Sequence, residues 1–199
     1  MGSTKGKGNV VDFIFTFVFC NSFNNGDVIG NNAYPLNWNT TNVYDLLATF
    51  AFCYSFNQYV GNWDTGNVSL MQYTFFTCTV FNNGSLTNDN AHPLLWNTVN
   101  VTDMVEMFSE CPLFNQSLTY DPSLNPNIWN TSNVTSMNNM FYDALVFNNG
   151  YASEDNTHPM DWIVTNTLNY EGFGTNCLLT FCPDPPNPGT SNNNMFSNW

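Results

Sequence analysis

Apolar and polar residues follow two different rhythms along this chain. Val101, Met104, Phe108 and Cys111 are spaced three, four and three apart, the interval that lines one face of a short helix. Asn100 stands where an N-cap belongs, and Asp103 falls in the first turn, where a carboxylate is favoured. After that segment the sequence FNQSL, from Phe114 to Leu118, alternates apolar with polar as a short strand does. The expected unit is a short helix followed by a short strand, too small to enclose a core alone.

The unit recurs. Asn-Val pairs place anchors at Val10, Val43, Val68, Val101 and Val134, with Thr167 as a degenerate sixth, at steps of 33, 25, 33, 33 and 33 residues. Five residues before five of the anchors stand Trp38, Trp63, Trp96, Trp129 and Trp162. Immediately before the anchors stand Asn42, Asn67, Asn100 and Asn133. Seven residues after the anchors come Phe17, Phe50, Phe75, Phe108 and Phe141; ten after come Cys20, Cys53, Cys78, Cys111 and Cys177, with Ala144 once. Thirteen after come Phe23, Phe56, Phe81, Phe114 and Phe147, each followed by Asn. Coincident ranks of this kind predict stacked coils in which each rank becomes a column. At a strand spacing near ~4.8 Å, six rungs make a rod of roughly 30 Å. The Asn rank before the anchors is expected to be a buried hydrogen-bonded ladder.

These ranks resemble a known family. Val101–Met104–Met107–Phe108–Cys111–Phe114 is similar to the BspA-like leucine-rich repeat, and WNTSNVT at Trp129–Thr135 to its Asn-rich branch of surface proteins. The resemblance covers residues 9–180. It implies a repeat solenoid of the α/β, leucine-rich-repeat-like class: a right-handed coil with one parallel sheet of short strands and short helices. It also implies a surface-exposed or adhesive role without catalytic residues. The chain divides into a tail at 1–8, one solenoid domain at 9–180, and a Pro/Asn-rich tail or incomplete repeat at 181–199.

Composition narrows the function. Two cations, Lys5 and Lys7, stand against 15 acids, giving a net charge of −13. Nucleic-acid binding needs cations to displace phosphate counterions, and an anionic membrane surface is disfavoured in the same way. No apolar run reaches the ~20 residues of a membrane-crossing helix. Asparagine, at 36 residues, fills the space that charge leaves and favours turns and side-chain-to-backbone bonding. The absence of Lys and Arg after Lys7 leaves no tryptic site, which suits an extracellular, cell-surface or virion-surface location.

Candidate chemistry is sparse. The cysteine rank reads as a buried column, and no C-x-x-C pair suggests zinc. Long units carry insertions between Phe-Asn-Asn and Trp; these hold Asp27, Asp89, Glu154 and Asp155, weak candidates for calcium. The D-x-D-x-D-G loop is absent, and no other metal or cofactor is expected. His92 and His158 occupy equivalent insertion positions, with Tyr34 in a third; together with Tyr120 and Tyr151 they are candidate recognition residues if exposed. Of seven N-x-S/T sequons, Asn83 lies in a loop and is the favoured glycan acceptor. No paired carboxylates, triad order or phosphate loop supports an enzyme.

The leading expectation is a non-catalytic scaffold or adhesin, associating end to end or within a larger surface assembly. A module that binds a glycan or a protein through the insertion loops is the alternative. Ice binding through Thr40, Thr65, Thr98 and Thr131 is a minor third.

Overall fold

The computed structural model describes residues 10–26, 34–87, 90–121, 123, 128–151 and 160–178. Among them there is no helix and no extended strand; the backbone runs in turns joined by isolated bridges. The α/β, leucine-rich-repeat-like class with short helices and a parallel sheet is therefore overturned. In its place are six rungs, residues 10–20, 43–53, 68–78, 101–111, 134–144 and 167–177, numbered 1 to 6 in chain order. Parallel bridges run Asp12 to Asp45, Asp45 to Leu70, Leu70 to Asp103, Asp103 to Ser136 and Ser136 to Asn169.

The reason for the missing helix lies in dihedral angles that the apolar spacing does not reveal. In rung 4, Glu106 and Glu110 have φ of 52° and 56°, a left-handed conformation that no α-helix contains. Met107 N–H bonds Met104 C=O at 3.3 Å and Cys111 N–H bonds Phe108 C=O at 3.2 Å, each closing a four-residue turn with φ > 0 at its third residue, as in type II. Every rung repeats this: Phe15, Ala48, Tyr73, Glu106, Asn139 and Gly172 are left-handed, as are Phe19, Phe52, Thr77, Glu110, Asp143 and Asn176. A ribbon of four-residue turns and an α-helix both bring every third or fourth side chain inward, so the spacing fits either.

The left-handed residues are costly, at about 1–2 kcal/mol for each non-glycine, and their N–H groups show what offsets them. Met104, Glu106, Phe108 and Glu110 donate to the carbonyls of Ser136, Asn138, Met140 and Tyr142 at 2.7–2.9 Å. The carbonyl of Thr102 in turn accepts from Thr135 N–H at 2.9 Å. The same five bonds join every adjacent pair of rungs, including rungs 2 and 3, which a shorter unit connects. The parallel ladder thus lies where a helix was expected. Where a strand was expected, at Asn115, the N–H turns to a side-chain oxygen, Asn82 Oδ1 at 2.9 Å. Asn100 and Asp103 likewise do not begin a helix: Asp103 Oδ1 accepts from Val105 N–H at 2.9 Å within a turn.

A substitution separates the two backbones. Glu106→Gly relieves a left-handed residue, so stability measured by urea unfolding should rise by about 0.5–1 kcal/mol. In a helix the same change would lower it by about 1 kcal/mol.

The core is two files of phenylalanine with a file of tryptophan beside them. Phe17, Phe50, Phe75, Phe108 and Phe141 stack at 5.5–5.7 Å between centroids. Phe23, Phe56, Phe81, Phe114 and Phe147 do so at 5.6–5.8 Å. Within each unit the two rings lie 4.0–4.2 Å apart. Trp63, Trp96, Trp129 and Trp162 are buried, and their indole N–H groups donate to the carbonyls of Leu36, Val60, Leu94 and Leu118. A buried indole needs such a partner. Trp38 is half-buried and stacks on Trp63 at 5.6 Å.

Candidate functional site

The repeated polar side chains are mostly turned to the backbone. Thr65, Thr98 and Thr131 are buried, and their hydroxyls donate to the carbonyls of Asn97, Asn130 and Ile163 at 2.9–3.0 Å. Thr40, at the head of this file, is buried too. An ice-facing Thr surface does not exist here. Cys53, Cys78 and Cys111 are buried and donate to the carbonyls of Phe17, Phe50 and Phe75 at 2.9–3.0 Å, while Cys20 is exposed and Cys177 half-buried. Cys20, Cys53, Cys78 and Cys111 are free thiols.

Burial pushes Cys53 up to about 12 and raises Cys78 and Cys111 well above the usual thiol range. A thiol held protonated in the folded chain stabilises it fully below the unfolded-state pKa, near 9.0, and loses that contribution as pH climbs toward the folded value. Stability should therefore fall progressively above pH about 9. In native buffer at pH 8, a maleimide should label Cys20 promptly and leave these three thiols unmodified until the chain unfolds. Mass mapping of the labelled peptides checks this.

The asparagine ladder differs from expectation. Asn42, Asn67, Asn100 and Asn133 are exposed. Asn67, Asn100 and Asn133 still bridge units, donating through Nδ2 to the carbonyls of Thr41, Gly66 and Val99 at 2.7 Å. The buried ladder is the residue after each second Phe: Asn24, Asn57, Asn82, Asn115 and Asn148. Each Oδ1 accepts the N–H of the next member at 2.8–2.9 Å. Asn57 Oδ1 also takes Gly84 N–H at 2.8 Å, and its Nδ2 donates to Ser85 C=O at 2.9 Å. The FN pairs carried the signal, but at Phe114–Leu118 they read as a short strand.

Asn83, the favoured glycan acceptor, is fully buried with φ 51°. Its Oδ1 accepts from Val60 N–H at 2.9 Å and its Nδ2 donates to His92 C=O at 2.7 Å. A glycan on Nδ2 would displace that bond and could not fit, so the folded chain offers no acceptor there. The next residue of an equivalent turn, Gly150, has φ 89°, and a Cβ on it would stand 2.8 Å from Asn90 Cβ. Gly150→Ala should cost about 1–3 kcal/mol in denaturant unfolding, from strain and contact together.

Among the described residues, the candidate recognition side chains differ in exposure. Tyr34 is exposed and Tyr151 partly so; Tyr120 packs on the core, and His92 is half-buried with its ring 5.9 Å from that of Tyr59. His158 and the calcium candidates Asp27, Asp89, Glu154 and Asp155 lie outside the described residues. Among the described residues, no group of three or more His, Cys, Asp or Glu side chains is placed to share a cation, and no helix is long and apolar enough to cross a membrane.

A surface feature that sequence reasoning missed lies on rungs 1 to 3. Phe15, Phe19, Phe52 and Tyr73 occupy the left-handed corners, which turn their side chains outward. Phe19 is 64% exposed and stacks on Phe52 at 4.5 Å; Phe76 meets Phe52 edge-on at 5.1 Å and Tyr73 at 5.7 Å. Burial, then the nearby charges of Glu106 and Asp103, raise the Tyr73 hydroxyl. In rungs 4 and 5 the same corners carry Glu106, Glu110, Asn139 and Asp143. One face therefore changes from aromatic to acidic along the stack. A polar cleft of about 310 Å³ follows on rungs 5 and 6, lined by Asn138, Asn139, Tyr142, Glu171, Gly172 and Thr175. Flat rings offer CH–π and apolar contact, and neither region groups an acid, a base and a nucleophile.

The model of the family described as "Mycoplasma protein of unknown function, DUF285" matches residues 11–149 and 91–170. The chain belongs to this family. The two DUF285 matches overlap across 91–149, as they should where one unit can be laid on the next. No curated protein and no solved structure matches the chain.

Proposed function

We propose that this DUF285 chain is a non-catalytic, surface-exposed repeat scaffold or adhesin that works within a larger assembly. The observation that carries this reading is where its repeated polar groups go. The Asn, Thr, Cys and Trp files aim their donors at backbone carbonyls of neighbouring units, so repetition supplies rigidity instead of reactive groups. The sequence resemblance to BspA-like surface proteins and the lack of tryptic sites after Lys7 support an outer-surface location. Immunogold electron microscopy of the native source tests it. Label on the outer surface is expected, and label confined to the cell interior would overturn the reading.

The aromatic corners favour a second reading, recognition of a glycan or an apolar protein surface by Phe15, Phe19, Phe52 and Tyr73. Glycan-array binding that Phe19→Ala abolishes, with cooperative unfolding retained, would favour it over the scaffold.

A further inference from the structure

Each junction between rungs uses the same five backbone bonds, so the outer edges of rungs 1 and 6 can be read against that pattern. The carbonyls of Asp45, Leu47, Thr49 and Ala51 in rung 2 accept from rung 1 at 2.8–3.0 Å. Their rung 1 counterparts Ile14, Thr16 and Val18 point their carbonyls to the opposite side, where, among the described residues, none accepts a hydrogen bond. At the other edge, the N–H groups of Gly172, Gly174 and Asn176 are the counterparts of Glu106, Phe108 and Glu110, and none donates to another described residue. One edge offers acceptors and the other offers donors, at the same positions of the repeat. Val11 N–H and Leu168 C=O add a fourth pair, at the positions that Thr135 N–H and Thr102 C=O hold inside the stack.

Side chains agree with this register. The file that contains Ser69, Thr102 and Thr135 ends in Val11 at one edge and Leu168 at the other, and Leu168 is 78% exposed. Hydroxyls inside the file bond neighbouring carbonyls: Thr102 to Ser69 at 3.2 Å and Thr135 to Thr102 at 3.0 Å. The two outer members are apolar and would meet each other. No like charges oppose: Asp12 would face Asn169, and Glu171 would face Ile14.

We propose that a second copy of this chain docks head to tail, its rung 1 continuing the ladder beyond rung 6 of the first. Gly172, Gly174 and Asn176 N–H then donate to Ile14, Thr16 and Val18 C=O of the second copy, and Val11 packs on Leu168. The joint is heterologous, so it extends into open filaments instead of closing as a dimer. This deepens the scaffold reading and rests on it for its biological role.

Sedimentation of the full chain over a hundredfold range of concentration tests the joint. Mass should climb from the 22.5 kDa monomer through dimer to longer species. Leu168→Asp, at an exposed position, should weaken association about tenfold or more by setting an unpaired charge against Val11, with the unfolding midpoint kept. The double variant Val11→Lys with Leu168→Asp should recover association. A monomer at every concentration overturns the proposal, as does association that Leu168→Asp leaves intact. These outcomes leave the surface-scaffold reading standing, whereas interior immunogold label removes that reading and leaves the joint.

Discussion

Replacing Asn57 by alanine should lower folding stability by about 3–6 kcal/mol, a large part of the total of a typical domain, about 5–15 kcal/mol. The side chain is buried, and alanine strips the acceptor from Asn82 N–H and Gly84 N–H and the donor from Ser85 C=O. Each buried polar group left without its bond costs about 1–3 kcal/mol. Asn100→Ala is the control. It removes one bond to Gly66 C=O from an exposed residue, so water can replace the partner and the loss should stay near about 0.5–1 kcal/mol. Urea unfolding of the two variants makes the comparison. If they fall equally, the buried amides do not hold the stack.

Phe108→Ala carries the second large effect, an expected loss of about 3–5 kcal/mol. Its ring stands between Phe75 at 5.5 Å and Phe141 at 5.6 Å, with Phe114 at 4.1 Å in its own unit. Removing it leaves a void that the four-residue turns on either side cannot close without breaking ladder bonds. Phe19→Ala, at a corner 64% exposed, should cost about 1 kcal/mol or less, since its ring meets Phe52 at the surface instead of filling the core. Comparable losses at the two positions would mean that the ring files are incidental to stability.

The files themselves were legible because side-chain identity at fixed intervals is what a sequence records. Trp63, Phe75 and Cys78 could be assigned to columns without any knowledge of backbone conformation. What was not legible is the conformation that brings them there. Glu106 and Glu110 are ordinary helix residues by propensity, and nothing in them announces a left-handed φ; that state is imposed by bonds to residues 32 positions later. The ladder register was misplaced for a related reason. Asn100 and Asn115 stand in equally regular ranks, and only burial distinguishes the outer bridge from the inner one. The aromatic corners were missed because Phe15, Phe19 and Phe52 fall outside the regular ranks, and hydrophobicity alone suggests an interior, whereas the turn geometry places them outside.

Rungs 2 and 3 are joined by the same backbone bonds as the others although the chain between them is eight residues shorter. The excursions are thus decoupled from the frame. Such an architecture lets sequence drift, deletion or grafting proceed in the loops without retuning the interior. A foreign epitope spliced between Thr87 and Asn90, beyond the buried Asn82–Ser85 turn, would be displayed on a platform that elsewhere takes up that change of length.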